Sequence, residues 1–273
     1  MPEKKHIRHY HRHLGFSYPT SISQRLYAVV APLITVSLFF GALSVFSIIP
    51  VSSARLIPYA DLTTALLFSL LRLSLAYLLA LVISFPLALL IDYSPATERV
   101  FLPLFDITES IPALAFFPLV IAVFLKFNLF NGAAVFILFL SMVWNLVFSI
   151  VGGLKVIPTD IKEAAQVMKI RGVAYLRRVL IPAVFPYLIT GSLLAWAQGW
   201  NILIVAEVLH TYIPGGTSAY DVVGIGSVLV HAIASGQNNI FIATLLAMIA
   251  TIAFLNFFVW QKLLRYAERY RFE

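Results

Sequence analysis

Long apolar runs separated by short polar stretches set the pattern of this chain. From Leu26 to Ala54 there is no Lys, Arg, Asp or Glu. That run holds a first candidate span at 26–49. Five more follow at 66–91, 101–125, 132–154, 182–209 and 239–261. Each is near or above the roughly twenty residues that carry a helix across a bilayer. The first is too long for a signal-peptide core and lacks a small-residue cleavage site, so it reads as a retained span. The pattern predicts an all-α integral membrane protein with six transmembrane helices. A polar tail (1–25) would precede a single membrane domain (26–265), and a short tail (266–273) would follow it.

One polar island breaks the apolar sequence between the fourth and fifth spans, over residues 155–181. Asp160 is placed to cap a short helix, and Glu163, three residues on, completes a capping-box spacing. Ile161, Ala164, Ala165 and Met168 then share one face, with Lys162, Gln166 and Lys169 on the other. Gly172 can turn the chain. Tyr175 to Val179 begin a second short helix, which Ile181-Pro182 stops. A surface helix pair with an apolar face suits docking into a groove on a partner.

Composition agrees with a membrane protein: 61% hydrophobic and 11% charged residues, with a mean hydropathy of +0.93. Soluble domains carry about 25% charged residues. There is no cysteine, hence no disulfide framework, thiolate metal site or thiol nucleophile. The formal charge of +7 sits at span ends, which argues for lipid contact and against nucleic acid. With the N-terminus inside, the inner segments hold Lys4, Lys5, Arg8, Arg12 and Arg25, then Arg99, then six Lys and Arg of the island, then Lys262, Arg265, Arg269 and Arg271. The outer segments hold Arg55 and Lys126, and Arg72 falls within or near the second span. Both termini and the island are therefore expected in the cytoplasm. His6, His9, His11 and His13 could bind a metal, but no acidic or Cys ligand joins them. A tail lying on anionic head groups is the plainer reading.

Within the spans, Gly191, Ala195 and Gly199 lie four apart and strip one face of bulk. That face can seat another helix of the same chain, or the seam of a dimer. Pro112 and Pro118 break the third span, and Pro182 and Pro186 open the fifth. Asp106, Glu109 and Glu207 are costly charges for a membrane interior. They read either as paired structural groups or as pathway groups facing water. Asn145, Gln198 and Asn201, with Trp144 and Trp200, are weaker lining candidates. Residues 210–238 are glycine-rich and without Lys or Arg, as an outer segment should be. Pro214-Gly215-Gly216 is not followed by Gly-Lys-Ser or Gly-Lys-Thr, so the chain has no phosphate loop of its own.

The island resembles the Glu-Ala-Ala loop of the membrane subunits of ABC importers, nearest to the branch serving nitrate, aliphatic sulfonates and taurine. Glu163, Ala164, Ala165, Val179, Ile181 and Pro182 fall in register with the family pattern. Lys169 occupies the family's glycine position, and Gly172 follows three residues later. The likeness extends through Ser110-Ile111-Pro112, Pro118, Pro182, Pro186 and Ala206-Glu207, over roughly residues 60–265. It implies a permease subunit of a prokaryotic cytoplasmic membrane that conducts a small solute at a dimer interface, with an anion of the nitrate, sulfonate or taurine type as the candidate. An ATPase would dock on Asp160, Glu163, Ala164, Ala165, Met168, Lys169, Gly172, Val179, Ile181 and Pro182, and an external binding protein would deliver the solute. The second permease would be an identical chain or a paralogue. ATP and Mg would be held by the ATPase, leaving no cofactor and no catalytic or metal residue here. Related importers commonly carry a basic residue where this chain has Glu109, which implies a different solute or a positive charge from the partner. Two other readings stay open. Ile170-Arg171-Gly172 is a near miss to the Ala-Arg-Gly motif of vitamin-type ECF importers, and Asp106, Glu109 and Glu207 could form the proton relay of a secondary transporter.

Overall fold

In a computed structural model, residues 59–92, 95–127, 129–170, 172–213 and 215–270 are described. The chain divides into two units, Met1–Ser52 and Ser53–Glu273, and every described residue belongs to the second. The histidine-bearing tail (1–25) and the first span (26–49) therefore lie outside the described residues, as do residues 271–273. All regular structure among the described residues is helical: α1 (Tyr59–Asp92), α2 (Pro95–Ser110), α3 (Phe117–Leu125), α4 (Phe130–Lys155), α5 (Thr159–Val167), α6 (Ile181–Glu207), α7 (Ile225–Ala234), α8 (Asn238–Leu255) and α9 (Gln261–Ala267). Within these residues, Asp61–Asp92, Phe130–Lys155, Leu176–Glu207 and Asn238–Tyr270 are each long and apolar enough to cross a membrane.

The run at 101–125 is not one straight span. α2 and the helix from Ala113 to Leu125 meet at 82°. Pro112 causes the elbow: its ring disfavours helix at Ile111, and its own backbone is extended, with φ −55° and ψ 129°. Pro118 sits in the first turn of α3, where a missing N–H leaves no bond unmade. The bent pair brings the number of candidate spans among the described residues to five.

Helix α4 is the central post, packed between α1 and α6. Ile137, Leu138, Met142, Leu146, Ile150 and Leu154 recur at helical spacing and are buried. The small-residue stripe seats α6 on this post. A methyl added at Gly191 would lie 2.4 Å from Ser149 Cβ, and one at Gly199 would lie 2.1 Å from Met142 Cε. Ala195, between them, is fully buried. The stripe thus serves packing within the chain.

Two expected boundaries move. Ile181-Pro182 does not stop the preceding helix. A helical turn at Val173–Tyr175 widens into a π turn at Leu176–Leu180 and runs on into α6. The Ile181 N–H reaches back five residues to the Leu176 carbonyl. A widened turn of this kind lets the helix absorb a proline that would otherwise break it. At the other end, α8 continues through a second π turn (Asn256–Trp260) and α9 to Tyr270, nine residues past the expected end of the last span. Phe185 of α6 holds this extension through edge-on ring contacts with Tyr266 and Tyr270, at 5.9 and 5.5 Å.

Candidate functional site

At one end of α6, Glu207 is fully buried in a polar knot. Its Oε1 accepts hydrogen bonds from Ser69 Oγ at 2.6 Å and Arg72 Nη1 at 2.7 Å, and its Oε2 accepts from the Gly226 N–H at 2.7 Å. Arg72 is 5% exposed and also donates to Asn131 Oδ1 and to the Val223 carbonyl. Ser69 Oγ in turn accepts the Ile225 N–H at 2.8 Å. The knot ties α1, α4, α6 and the start of α7 together. Gly224 is required there, since a side chain would meet the Glu207 carboxylate at 2.2 Å. Of the two readings open for Glu207, the paired structural one fits: its partners are Arg72, Ser69 and the Gly226 backbone. A lone Arg and a lone Glu in apolar runs need each other, and that was the signal the sequence offered. Just beyond, Asp221 accepts the His210 backbone N–H at 3.0 Å and lies within 2.7 Å of His210 Nδ1 and 3.0 Å of His231 Nε2. The sequence reading did not single out these three.

At the elbow after α2 lies a cavity of about 330 Å³. It gathers three of the expected pathway residues, Glu109, Asn145 and Gln198, and Trp144 with them. Ser141 to Asn145 sit midway along α4, so the cavity opens at mid-span. The other three candidates are elsewhere. Asp106 and Asn201 are exposed and do not line it, and Glu207 is sealed in the knot. Thr108 and Ser141 line it, but their hydroxyls donate to the carbonyls of Leu104 and Leu138.

The polar island forms α5, with a different start and a different buried face from those expected. Its N-cap is Pro158, extended at ψ 145°, with no side-chain cap. Asp160 is the second helical residue, so it favours the positive helix end by charge alone, and the capping box with Glu163 is absent. Thr159 Oγ1 donates to Asp160 Oδ1 at 3.5 Å. Ala165 is buried and Ile161 packs on the core, while Ala164 and Met168 turn outward beside Val167. Val167 and Met168 are 83% and 71% exposed, a large apolar tip on an otherwise polar surface. Glu163 is exposed too. The helix ends on Lys169 at φ +53°, with the Ile170 N–H bonded to the Ala165 carbonyl. Gly172, at φ +57°, starts the next helical turn by accepting the Leu176 N–H. Val179, Ile181 and Pro182 follow in the run into α6, with Val179 and Pro182 facing Ile161 of α5 across a shared pocket. Tyr175 is half-buried, and burial, then the Asp92 carboxylate, push its phenol above the ordinary range.

The family described as binding-protein-dependent transport system inner membrane component matches residues 80–263, from α1 through the last span. The chain belongs to that family. It is a multi-pass membrane protein and a transport component. A nitrate import permease protein of Leptolyngbya laminosa is 32% identical over 171 residues, 63% of this chain and 57% of the relative. A bicarbonate transport system permease protein of Synechococcus elongatus is 29% identical over 147 residues, 54% and 52% of the two chains. A taurine transport system permease protein of Escherichia coli is 25% identical over 150 residues, 55% and 54%. The chain spans about half the length of the curated relatives it matches.

As a member of this permease family the chain carries its Glu-Ala-Ala motif on α5, with Glu163 and Ala164 exposed and Ala165 buried. Lys169, expected at the family's glycine position, adopts the left-handed backbone that glycine takes without strain. Gly172 makes a second, separate left-handed turn.

Proposed function

We propose that this chain is the membrane-spanning permease subunit of a binding-protein-dependent ABC importer in a prokaryotic cytoplasmic membrane. Six spans would place both termini and α5 in the cytoplasm. Two such subunits, identical or paralogous, would enclose the pathway, with the cavity around Glu109, Asn145 and Gln198 as this chain's share of it. ATPase subunits, which hold ATP and Mg, would dock on α5, and an external binding protein would present the solute to the 210–238 segment.

The observation that carries this reading is the geometry of α5. It is a short helix between two long spans, anchored by Ile161 and Ala165, with Val167 and Met168 projecting from its far end. Apolar side chains at such exposure pack on no described part of the chain and supply the kind of anchors that dominate a small interface. Closure of the ATPases on ATP would move α5. Ile161 of α5 shares a pocket with Val179 and Pro182, on the helical run that enters α6, and that contact would carry the motion into the bundle. The proton-relay alternative loses its third member, because Glu207 is neutralised by Arg72 away from the cavity.

The test is Glu163→Lys in the assembled importer. Membrane insertion is expected to be unchanged while solute-dependent ATP hydrolysis by the co-purified ATPase is lost. Hydrolysis coupled as in the unmodified complex would refute the docking role of α5.

A further inference from the structure

We propose that the solute admitted by this chain presents a cationic nitrogen on a small organic frame, and that the elbow cavity recognises it through Glu109 and Trp144. The inference rests on the permease reading and adds to it the charge of the cargo. Among the described residues, Glu109 is the one ionisable group lining the cavity, and no Lys, Arg or His lines it. Its neighbour one helical turn back is Asp106, of the same sign. Among the described residues, the charge lining the cavity is therefore negative. The side chains of Glu109, Asn145 and Gln198 make no hydrogen bonds to other described residues, so their capacity is left for what enters.

The aromatic part of the lining points the same way. Trp144 and Phe116 border the cavity, and Trp144 is set against Phe105 at 5.5 Å. An indole face attracts a cation and repels an anion through the sign of its quadrupole. A carboxylate and an indole in one lining are groups that a cation can use together. An inorganic anion entering the same space would shed water to meet a like charge, with only amide and indole N–H groups in compensation. The volume, about 330 Å³, lies at the small end of the roughly 300–1,000 Å³ of small-molecule sites, which suits a compact frame with one charged nitrogen.

The chain contains no cysteine, so Ala113→Cys puts a single thiol of this chain in the cavity wall, with Ile202→Cys as a second placement if the first does not assemble. The full permease–ATPase complex in nanodiscs would be treated with two methanethiosulfonates of similar size, one bearing trimethylammonium and one bearing sulfonate. Their rates would be normalised to those with 2-mercaptoethanol. The cationic reagent is expected to be favoured by about tenfold, as one nearby unit charge in a partly shielded site requires. Glu109→Gln should remove most of that preference. An equal or inverted preference in the unmodified background, as a positive charge from the partner permease would give, overturns the cation assignment alone. Failure of both reagents at both positions, in a complex that retains its ATPase, would show that no aqueous pathway reaches the elbow, and would overturn the permease reading with it.

Discussion

Removing the Glu207 carboxylate should destabilise the chain more than any other single truncation outside the apolar core. In Glu207→Ala the Arg72 guanidinium stays buried with its charge uncompensated. It keeps its bonds to Asn131 and Val223, while Ser69 and the Gly226 N–H lose their acceptor. Breaking a buried pair from one side costs about 3–5 kcal/mol. Each orphaned neutral donor adds about 1–3 kcal/mol where water cannot reach it. A loss of at least about 4 kcal/mol is therefore expected, which at about 2–4 °C per kcal/mol lowers the thermal midpoint by about 8 °C or more. The double variant Arg72→Met, Glu207→Leu removes both charges and refills the space. It should recover much of the loss, giving a coupling of about 2–3 kcal/mol in the cycle. The measurement is the thermal midpoint of the full chain in one detergent, read by loss of the monodisperse peak on size exclusion. A Glu207→Ala midpoint within about 2 °C of the parent, or a double variant no better than the sum of its single changes, would refute the argument.

Other expectations follow from single positions. Lys169→Gly should raise stability by about 1 kcal/mol, because glycine takes the left-handed backbone without the Cβ clash; a lower thermal midpoint would count against it. Gly191→Ala should cost about 1–3 kcal/mol, since Ser149 Cβ and the Asn145 carbonyl cannot yield. Gly199→Ala should cost less, because the flexible end of Met142 can swing away; the two midpoints measured side by side would reverse the order if α6 does not seat as described. Val167→Asp with Met168→Asp should abolish co-elution of the ATPase on affinity purification while leaving the amount of inserted chain unchanged. Undiminished co-elution would remove the apolar tip from the docking surface.

Among the described residues the apolar runs were legible as helices because runs of this length have one conformation in lipid, whereas what bends them was only half legible. Pro112 announced a break, but its angle depends on which carbonyls neighbouring helices and turns can satisfy. Pro182 also announced a break and gave none, because a π turn formed just before it and absorbed the missing N–H. Asp160 looked like a cap from its spacing to Glu163. Pro158 took the cap position first, since its fixed φ suits the extended residue before a helix. The pathway residues divided by depth and rotation, which a list of polar positions does not contain: Glu109, Asn145 and Gln198 converge, while Asp106 and Asn201 point away. Arg72 and Glu207 were each visible as expensive, yet 135 residues separate them, and only the stacking of α1 beside α6 makes them partners.

Because Arg72 and Glu207 travel together as a neutral couple, the electrical potential across a cell membrane has almost no purchase on them. Moving one elementary charge through 100 mV takes about 2.3 kcal/mol, but a compensated pair carries no net charge to move. Any rocking of α1 against α6 that keeps the knot closed would thus carry no net charge of this pair through the membrane field. Through this knot, the membrane voltage would neither assist nor oppose the subunit.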